Sequence, residues 1–463
     1  MKYDVVIIGG GPAGISTALT ARKAYPDKEI LVIRKSRKTI VPCAIPYIFG
    51  TLKSVDKIVI SDALLEKNDI NLRIDEVTRI DCSQKYVELT SRERIEFDKL
   101  VIATGASPIL PKIKGIELKG VYTLTKDYDY LCKMLEEIEN ASTVVIVGGG
   151  TAGVETADDL AKAGKEVHII EMLPHVLMAN FDEEFCIKAE EILRELGVNI
   201  HTGKIATKFV GNEKVEKVVL SDGTEIKADA VIVSVGTRPN TELAKRSGIS
   251  VNKNGIEVNP YMQTSCEDVF AVGDCAQKIS FLTGEPFKAM LASVAILEGR
   301  IAGANLYEKK LTSRYHGVVG SILTYIRGVA FGSAGLTEAE ARKHGFNIVT
   351  AKAETVDKHP GTLPNASKIM AKLIVSKDSG VIIGAQIVGK TGVPELVNSI
   401  TVAIYNRVTV SEYVEMQAAS QPWLTPSPLA FPLVIAGMTI PVSYTHLRAH
   451  ETSLHLVCRL LLE

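Results

Sequence analysis

Two segments of the chain carry the same glycine spacing at the end of an apolar run: VVIIGGGPAG from Val5 to Gly14 and VVIVGGGTAG from Val144 to Gly153. In such a loop the first glycine permits a tight turn, the second lets the backbone approach a pyrophosphate, and the third allows close helix–strand packing. Because each loop follows a strand pattern and opens a helical one, the sequence predicts two dinucleotide sites. The predicted phosphate-binding residues are Gly9, Gly11, Pro12, Ala13 and Gly14 in the first loop, and Gly148, Gly150 and Gly153 in the second.

The two repeats differ at the end of their second strand. Glu171 ends the strand after the second loop, where a carboxylate accepts hydrogen bonds from a ribose 2′-OH and repels a 2′-phosphate. This favours NADH, with NADPH as the alternative donor, unless Glu171 is only a solvated charge. Arg34 stands at the corresponding place after the first loop, where an acid is expected. Arg34 and Lys35 are predicted to bind the cofactor of the first loop. Glu155 is predicted either to reach toward the nicotinamide or to face solvent.

The cysteines offer thiol chemistry but no metal or disulfide framework. Seven occur in 463 residues, without a C-x-x-C pair or a metal-ligand spacing. They lie at positions 43, 82, 132, 186, 266, 275 and 458. Reduced thiols in a cytoplasmic protein fit this pattern best, and no metal site is expected. Five of them are interpreted as structural or incidental: Cys82, Cys132, Cys186, Cys266 and Cys275.

Composition excludes several partner classes. Lys plus Arg number 53 and Asp plus Glu 54, so there is no bulk field that would gather nucleic acid or anionic membrane. The start, MKYDVVIIGG, enters a strand directly and shows no secretory signal. The longest apolar stretch, Leu429 to Ile440, is interrupted by Pro432 and falls short of the roughly 20 residues that a spanning helix needs.

Strand patterns that run into glycine turns must position these groups. They include LVIATG (100–105), AVIVSVG (230–236) and VFAVG (269–273), which close nucleotide domains. From about Gly317 the pattern changes to the strand-like runs LTYIRGVAF, IMAKLIVS and GVIIGAQIVG, with helical stretches at Glu338–His344 and Pro394–Asn406. A separate α+β unit is predicted there. The stretch from Pro441 continues no earlier pattern and is expected to be a non-native tail.

Along its length up to about residue 440, the chain resembles the pyridine nucleotide-disulfide oxidoreductases. The matching segments are the ATG turn, the GTRPN run from Gly236 to Asn240, and TSCEDVFAVGDCA from Thr264 to Ala276. The resemblance implies an α/β protein with two Rossmann-like FAD/NAD(P)-binding domains plus a C-terminal α+β dimerisation domain. It adds FAD as cofactor, a homodimer as assembly, and these cofactor-binding residues: Ala103, Thr104, Gly105, Gly236, Gly273 and Asp274.

The implied domain order follows from that resemblance. FAD binds 1–115 and 244–316, NAD(P)H binds 116–243, and 317–440 forms the dimerisation domain, followed by the tail at 441–463.

The segment VPCAIPYIFG (41–50) selects one branch of this family. Glutathione reductase and its relatives carry a second cysteine five residues on, where this chain has Ile48, and a C-terminal His and Glu, where it has Gln421 and Pro426. The segment is similar to CALPYxIG of coenzyme A-disulfide reductases. The peroxidase branch has a histidine where this chain has Pro12. The resemblance thus implies that Cys43 is the single redox-active nucleophile.

Two further residues are candidates for substrate binding and acid catalysis. Arg22 is the predicted substrate-binding group for an anionic coenzyme A, although basic runs are often solvated surface. His359 is a candidate acid that the other subunit would supply, although exposed turn histidines are common.

The predicted function is FAD-dependent reduction of a small-molecule disulfide or persulfide by NAD(P)H through Cys43. Two alternatives stay open: an NADH oxidase that reduces O₂ or peroxide, and a non-catalytic flavin-binding redox sensor.

Overall fold

The computed structural model describes residues 1–309 and 313–440, so the predicted tail at 441–463 lies outside the described residues. The chain divides into two compact units. Unit 1 comprises Met1–Met172, Gly197–Ser280 and Gly284–Val318, and unit 2 comprises Leu173–Leu196, Phe281–Thr283 and the chain from Val319 onward. In the described part of the chain, no helix is long and apolar enough to cross a membrane.

The strands are numbered in chain order. Those up to the second glycine loop are β1 (Lys2–Ile8), β2 (Ile30–Arg34), β3 (Thr39–Ile40), β4 (Val59–Ile60), β5 (Asn71–Ile74), β6 (Val77–Asp81), β7 (Tyr86–Leu89), β8 (Arg94–Ile102), β9 (Ala106–Pro108), β10 (Val121–Thr123) and β11 (Thr143–Val147). The next are β12 (Glu166–Glu171), β13 (Asn199–Thr202), β14 (Ala206–Val210), β15 (Lys217–Leu220), β16 (Glu225–Lys227), β17 (Ala230–Val233), β18 (Thr237–Pro239), β19 (Val251–Asn252), β20 (Gly255–Ile256) and β21 (Val269–Ala271). The last are β22 (Ile322–Ile326), β23 (Val329–Gly335), β24 (Ile348–Val356), β25 (Lys368–Ser376) and β26 (Ile382–Gly389).

The α-helices are likewise numbered in chain order. They are α1 (Pro12–Ala24), α2 (Ala63–Glu66), α3 (Tyr128–Glu139), α4 (Thr151–Lys162), α5 (Glu183–Glu195), α6 (Glu242–Arg246), α7 (Ala292–Ala304), α8 (Glu338–Lys343), α9 (Val393–Tyr405), α10 (Val410–Val414) and α11 (Pro432–Met438). Short 3₁₀ helices span Pro42–Tyr47, Asp56–Ile58, Gly273–Cys275 and Pro428–Ala430.

Unit 1 contains two sheets whose central strands run parallel. The first sheet has the order β5-β2-β1-β8-β7-β6, and β21 also pairs with β8. The second has the order β10-β17-β11-β12-β13, and all its pairs are parallel. In each, the apolar run before the glycine loop is buried, at Val5–Ile8 in the first sheet and at Thr143–Val147 in the second, as continuous Val/Ile runs require when helices cover both faces. The two Rossmann-like domains predicted from the repeated pattern are confirmed.

Unit 2 is built on the antiparallel sheet β22-β23-β26-β25-β24. Strands and helices occur where the sequence predicts them, including α8 and α9, and the α+β character of the C-terminal region is confirmed. Strand β24 and helix α11 were not predicted.

Helix α5 clusters with unit 2, although its sequence lies inside the predicted 116–243 nucleotide domain. The physical reason is a buried ion cluster. Asp182, just before α5, accepts hydrogen bonds from the side chains of Lys372 (2.8 Å) and Gln386 (2.7 Å) on the central strands of the sheet.

Candidate active site

The first glycine loop has the geometry that its spacing predicts. Gly9 adopts φ +119°, and a Cβ there would lie 2.1 Å from the Ala103 carbonyl oxygen. A Cβ at Gly14 would lie 1.9 Å from the Gly9 oxygen, so helix α1 packs directly on the turn. A Cβ at Gly11 would meet nothing within 4 Å. The loop therefore leaves room for a pyrophosphate at the N-terminus of α1.

The second loop repeats this geometry before α4. Gly148 has φ +114° and approaches the Ser234 carbonyl, and a Cβ at Gly153 would lie 2.0 Å from the Gly148 oxygen. Gly150, like Gly11, opens to space. Both loops thus fit a dinucleotide pyrophosphate, and cofactor binding at these glycines stays a prediction.

Glu171 lies against the second loop. Its buried carboxylate accepts a 2.6 Å hydrogen bond from the amide of Gly149. The carboxylate is therefore held beside the phosphate-binding turn, as the assignment to the NADH ribose requires.

The guanidinium of Arg34 is taken up by local partners. Its five N–H groups donate to the Asp62 carboxylate (2.5 and 2.7 Å), to the Thr39 hydroxyl, and to the main-chain oxygens of Ser36 and Arg37. No N–H is left for a ribose or a phosphate in this arrangement. Arg34 therefore holds the chain after β2 in place, and its predicted contact with the cofactor stays a prediction.

The aliphatic part of Arg34 does lie at the first loop. A Cβ on Gly10 would meet Arg34 Cδ at 2.7 Å, so the Arg34 side chain packs against the first glycine loop. In the second repeat, the carboxylate of Glu171 lies at the equivalent place. Lys35, in contrast, points outward, with its ammonium 3.9 Å from the Glu76 carboxylate. Its predicted contact with the cofactor has no support in this geometry and stays a prediction.

Cys43 lies on the 3₁₀ helix Pro42–Tyr47 and is exposed. The segment after it is fixed by Asp159, a fully buried residue of α4. The Asp159 carboxylate accepts hydrogen bonds from the amides of residues 49, 50 and 51 at 3.1, 2.7 and 3.0 Å. The helix that follows the second glycine loop thereby positions the thiol segment of the first domain.

Charged groups surround the Cys43 sulfur. Partial desolvation raises the pKa of the thiol, although the residue as a whole is exposed, and Glu155 raises it further. Lys126 lowers the pKa, whereas Asp274 raises it slightly. The Lys126 ammonium also donates to the Asp274 carboxylate at 2.9 Å. Lys126 is therefore the cation that favours the Cys43 thiolate.

A buried ion pair holds the turn that carries Asp274. It lies on the 3₁₀ turn after β21, where Glu298 accepts from the Gly273 amide at 2.8 Å and from Lys278 at 3.0 Å. Burial raises the pKa of Glu298 to about 7, while Lys278 lowers it. The aspartate predicted to hold the flavin thus rests on a turn that the core fixes.

The ATG turn and the GTRPN run hold each other. The Thr104 hydroxyl donates to the Asn240 carbonyl, and the Asn240 amide side chain donates back to the Thr104 carbonyl, both at 2.8 Å. Gly236 accepts from the Ile109 amide and has φ +96°. Ala103 and Gly105 flank this contact, so these residues form the turn, and their contact with the cofactor stays a prediction.

The predicted substrate group Arg22 and the predicted acid His359 both have local partners. Arg22 donates to the main-chain oxygens of four turn residues at 2.6–2.9 Å, which gives it a structural role. It lies near the C-terminal end of α1, roughly 15 Å along the helix from the glycine loop. His359 belongs to unit 2, where its Nδ1 lies 3.2 Å from the Thr425 carbonyl. Both functional roles stay predictions.

Three charged groups of the site were missed from the sequence: Lys126, Asp159 and Glu298. Glu298 carries a usable signal, because it is a carboxylate inside an otherwise apolar helical face. Asp159 carries none, because polar residues three and four positions away share its face of α4. Lys126 carries none, since it stands in an ordinary polar connection. Among the described residues, no group of three or more His, Cys, Asp or Glu side chains could hold a metal ion.

Replacing Lys126 by Met should move the pH dependence of catalysis. Lys126 lowers the pKa of Cys43, so its loss raises that pKa and leaves less thiolate at neutral pH. The rising limb of kcat/KM against pH for thiol-dependent turnover should therefore shift to higher pH. Lys133→Met, which changes an exposed lysine of α3, is the control. An unshifted limb would show that Lys126 does not act on the thiol.

Comparison with known proteins agrees with this geometry. Residues 3–299 match the pyridine nucleotide-disulphide oxidoreductase model, and residues 323–428 match the dimerisation domain of the same family. An NADH oxidase of Methanocaldococcus jannaschii is 35% identical over 90% of this chain and 94% of its own. An NAD(P)H coenzyme A polysulfide/persulfide reductase of Pyrococcus horikoshii is 35% identical over 95% and 99%.

A solved structure is similar in fold as well as in sequence. The NAD-dependent persulfide reductase from A. fulgidus superimposes with a TM-score of 0.89 at 33% identity, covering 95% of this chain and 82% of that one. With its two glycine loops, its buried Asp274 turn and these matches along most of its length, the chain belongs to the pyridine nucleotide-disulphide oxidoreductase family and is an oxidoreductase.

Proposed function

We propose that this enzyme oxidises NADH by way of FAD and reduces a coenzyme A-linked disulfide or persulfide through Cys43. The observation that carries the proposal is the lone, exposed thiol on the Pro42–Tyr47 helix, with Lys126 acting on it. Ile48, fully buried, stands where two-cysteine relatives have their second thiol, so no internal disulfide forms at this site.

The residues fit both cofactors. The first loop, open at Gly11, would hold the FAD pyrophosphate, and Asp274 would hydrogen-bond the ribityl and phosphate region. The second loop and Glu171 would hold NADH. When bound, FAD would carry the two electrons of NADH to the mixed disulfide at Cys43, which restores the Cys43 thiolate and releases the second sulfur product as a thiol.

The chain's own part in the reaction is thiol–disulfide exchange. The Cys43 thiolate attacks one sulfur of the acceptor, forms a mixed disulfide and releases the other sulfur as a thiolate or hydrosulfide. Lys126 favours the attacking thiolate, and Asp159 fixes the backbone that follows the thiol. The family's dimerisation domain supports a homodimer, in which His359 of the partner subunit is the proposed acid.

Reduction of O₂ is the second candidate, because the relative from M. jannaschii is named an NADH oxidase. Steady-state oxidation of NADH and NADPH with coenzyme A disulfide, polysulfide, O₂ and H₂O₂ in parallel separates the two. We expect the highest kcat/KM with a sulfur acceptor, and NADH to exceed NADPH because Glu171 repels a 2′-phosphate. A disulfide and polysulfide rate no higher than the O₂ rate would reject the first proposal in favour of the second.

A further inference from the structure

Two thiols that the proposed reaction does not use lie at one edge of the first sheet. Cys82 directly follows β6, and Cys266 lies three positions before the start of β21. Strand β7 pairs with β8 at residues 94–96, and β21 pairs with β8 at residues 100–102. Because β1 occupies the other side of β8 along 96–102, β7 and β21 share one side of it, end to end. The chain segments that carry the two cysteines therefore meet beside residues 97–99.

Direct contacts confirm that meeting point. The Lys85 ammonium lies 2.5 Å from the Asp268 carboxylate, and Lys99 bonds the same carboxylate. The amide of Phe97 donates to the Lys85 carbonyl, and the amide of Leu100 donates to the Asp268 carbonyl, each at 2.9 Å. The turn after Cys82 and the loop after Cys266 are thus tied together through main chain and side chains.

The two thiols interact with each other at this point. Both are half-buried and pack against the same apolar cluster of the first sheet. Burial and a hydrogen bond with the Cys266 thiol raise the pKa of Cys82 to about 12. Cys82 is therefore a thiol at neutral pH, and the thiol of Cys266 acts on it.

We propose that Cys82 and Cys266 form a dithiol that small-molecule disulfides oxidise to an internal disulfide. One protein thiol loses its proton, attacks the small disulfide and releases one small thiol, leaving a mixed disulfide. The second protein thiol then displaces the other small thiol. The protein loses two electrons and two protons, and the small disulfide gains both as two thiols.

This pair is separate from the site around Cys43. Cys266 lies before the amino end of β21, whereas Asp274 lies beyond its carboxyl end. The bridge would join the 1–115 and 244–316 parts of the first domain, which are far apart in sequence. It is thus a second redox site that responds to the same class of compound as the proposed acceptor, and it does not depend on the proposed reaction.

The test uses the Cys43→Ser chain, so that the exposed thiol contributes no adduct. The reduced protein is incubated with 2-hydroxyethyl disulfide, and the remaining thiols are alkylated before digestion without reductant. Before alkylation, we expect the intact mass to be lower by two hydrogen atoms. After digestion, we expect one cross-linked peptide pair that contains Cys82 and Cys266. The midpoint of thermal unfolding should rise by about 5 °C and return on addition of dithiothreitol.

Cys82→Ser in the same background should abolish the cross-link and leave a mixed disulfide on Cys266. Full alkylation of both thiols after the incubation, or adducts without an internal bridge in the Cys43→Ser chain, would overturn the proposal. Because that measurement alters neither thiol of the pair, it stays decisive even if Cys82→Ser fails to fold.

Discussion

Replacing Cys43 by Ser should lower kcat for disulfide and persulfide acceptors by at least about 1,000-fold. A serine hydroxyl stays protonated at neutral pH and cannot form the mixed disulfide. Reduction of the bound flavin by NADH, followed by stopped-flow absorbance, should persist, because Gly148, Gly153 and Glu171 remain in place. The variant therefore separates nucleotide binding from the thiol step.

The matched control for this experiment is Cys132→Ser, which changes a half-buried thiol on helix α3. Its turnover should equal that of the parent. If Cys43→Ser kept full activity with every sulfur acceptor, the thiol relay would be wrong and Cys43 would be at most a reporter of oxidation. A mass spectrum of the parent as isolated provides a second readout, since a coenzyme A adduct on Cys43 would identify the acceptor class.

Replacing Lys372 by Met should destabilise unit 2 by about 3–5 kcal/mol, because it leaves buried carboxylates without a counter-charge. The Lys372 ammonium lies 2.8–3.1 Å from Asp182, Glu184 and Glu338 and is almost completely buried. Burial alone would lower the pKa of Lys372, but these carboxylates raise it above its usual range. Urea unfolding followed by hydrogen exchange of the β25 and β26 amides measures the effect.

Lys352→Met is the control, because Lys352 pairs across the strands with Lys372 and also contacts Glu184, at 3.3 Å, but from an exposed position. It should cost no more than about 1 kcal/mol. In the parent, Lys372 lowers the pKa of Glu338, so this stabilisation is present above the usual carboxyl pKa and is lost as the pH falls. The difference between parent and Lys372→Met should thus shrink on acidification, and a constant difference would contradict the ionic cause.

The local sequence determined the two nucleotide-binding loops. Their glycine spacing reflects backbone sterics within a few residues, and Gly9, Gly14 and Gly148 adopt the close approaches that this spacing predicts. The continuous Val/Ile runs likewise determined the buried parallel strands. The single-thiol character of Cys43 could also be predicted, because it depends on which residue stands at position 48.

Only the tertiary structure decided which charged groups serve the site. Arg34 occupies the expected position of a cofactor ligand, yet Asp62, 28 residues on, takes up its guanidinium. Asp159 fixes a segment about 110 residues before it. The meeting of Cys82 and Cys266 depends on the register of strands along β8. Side-chain partners so distant in sequence are set by strand order and helix packing, which no local spacing encodes.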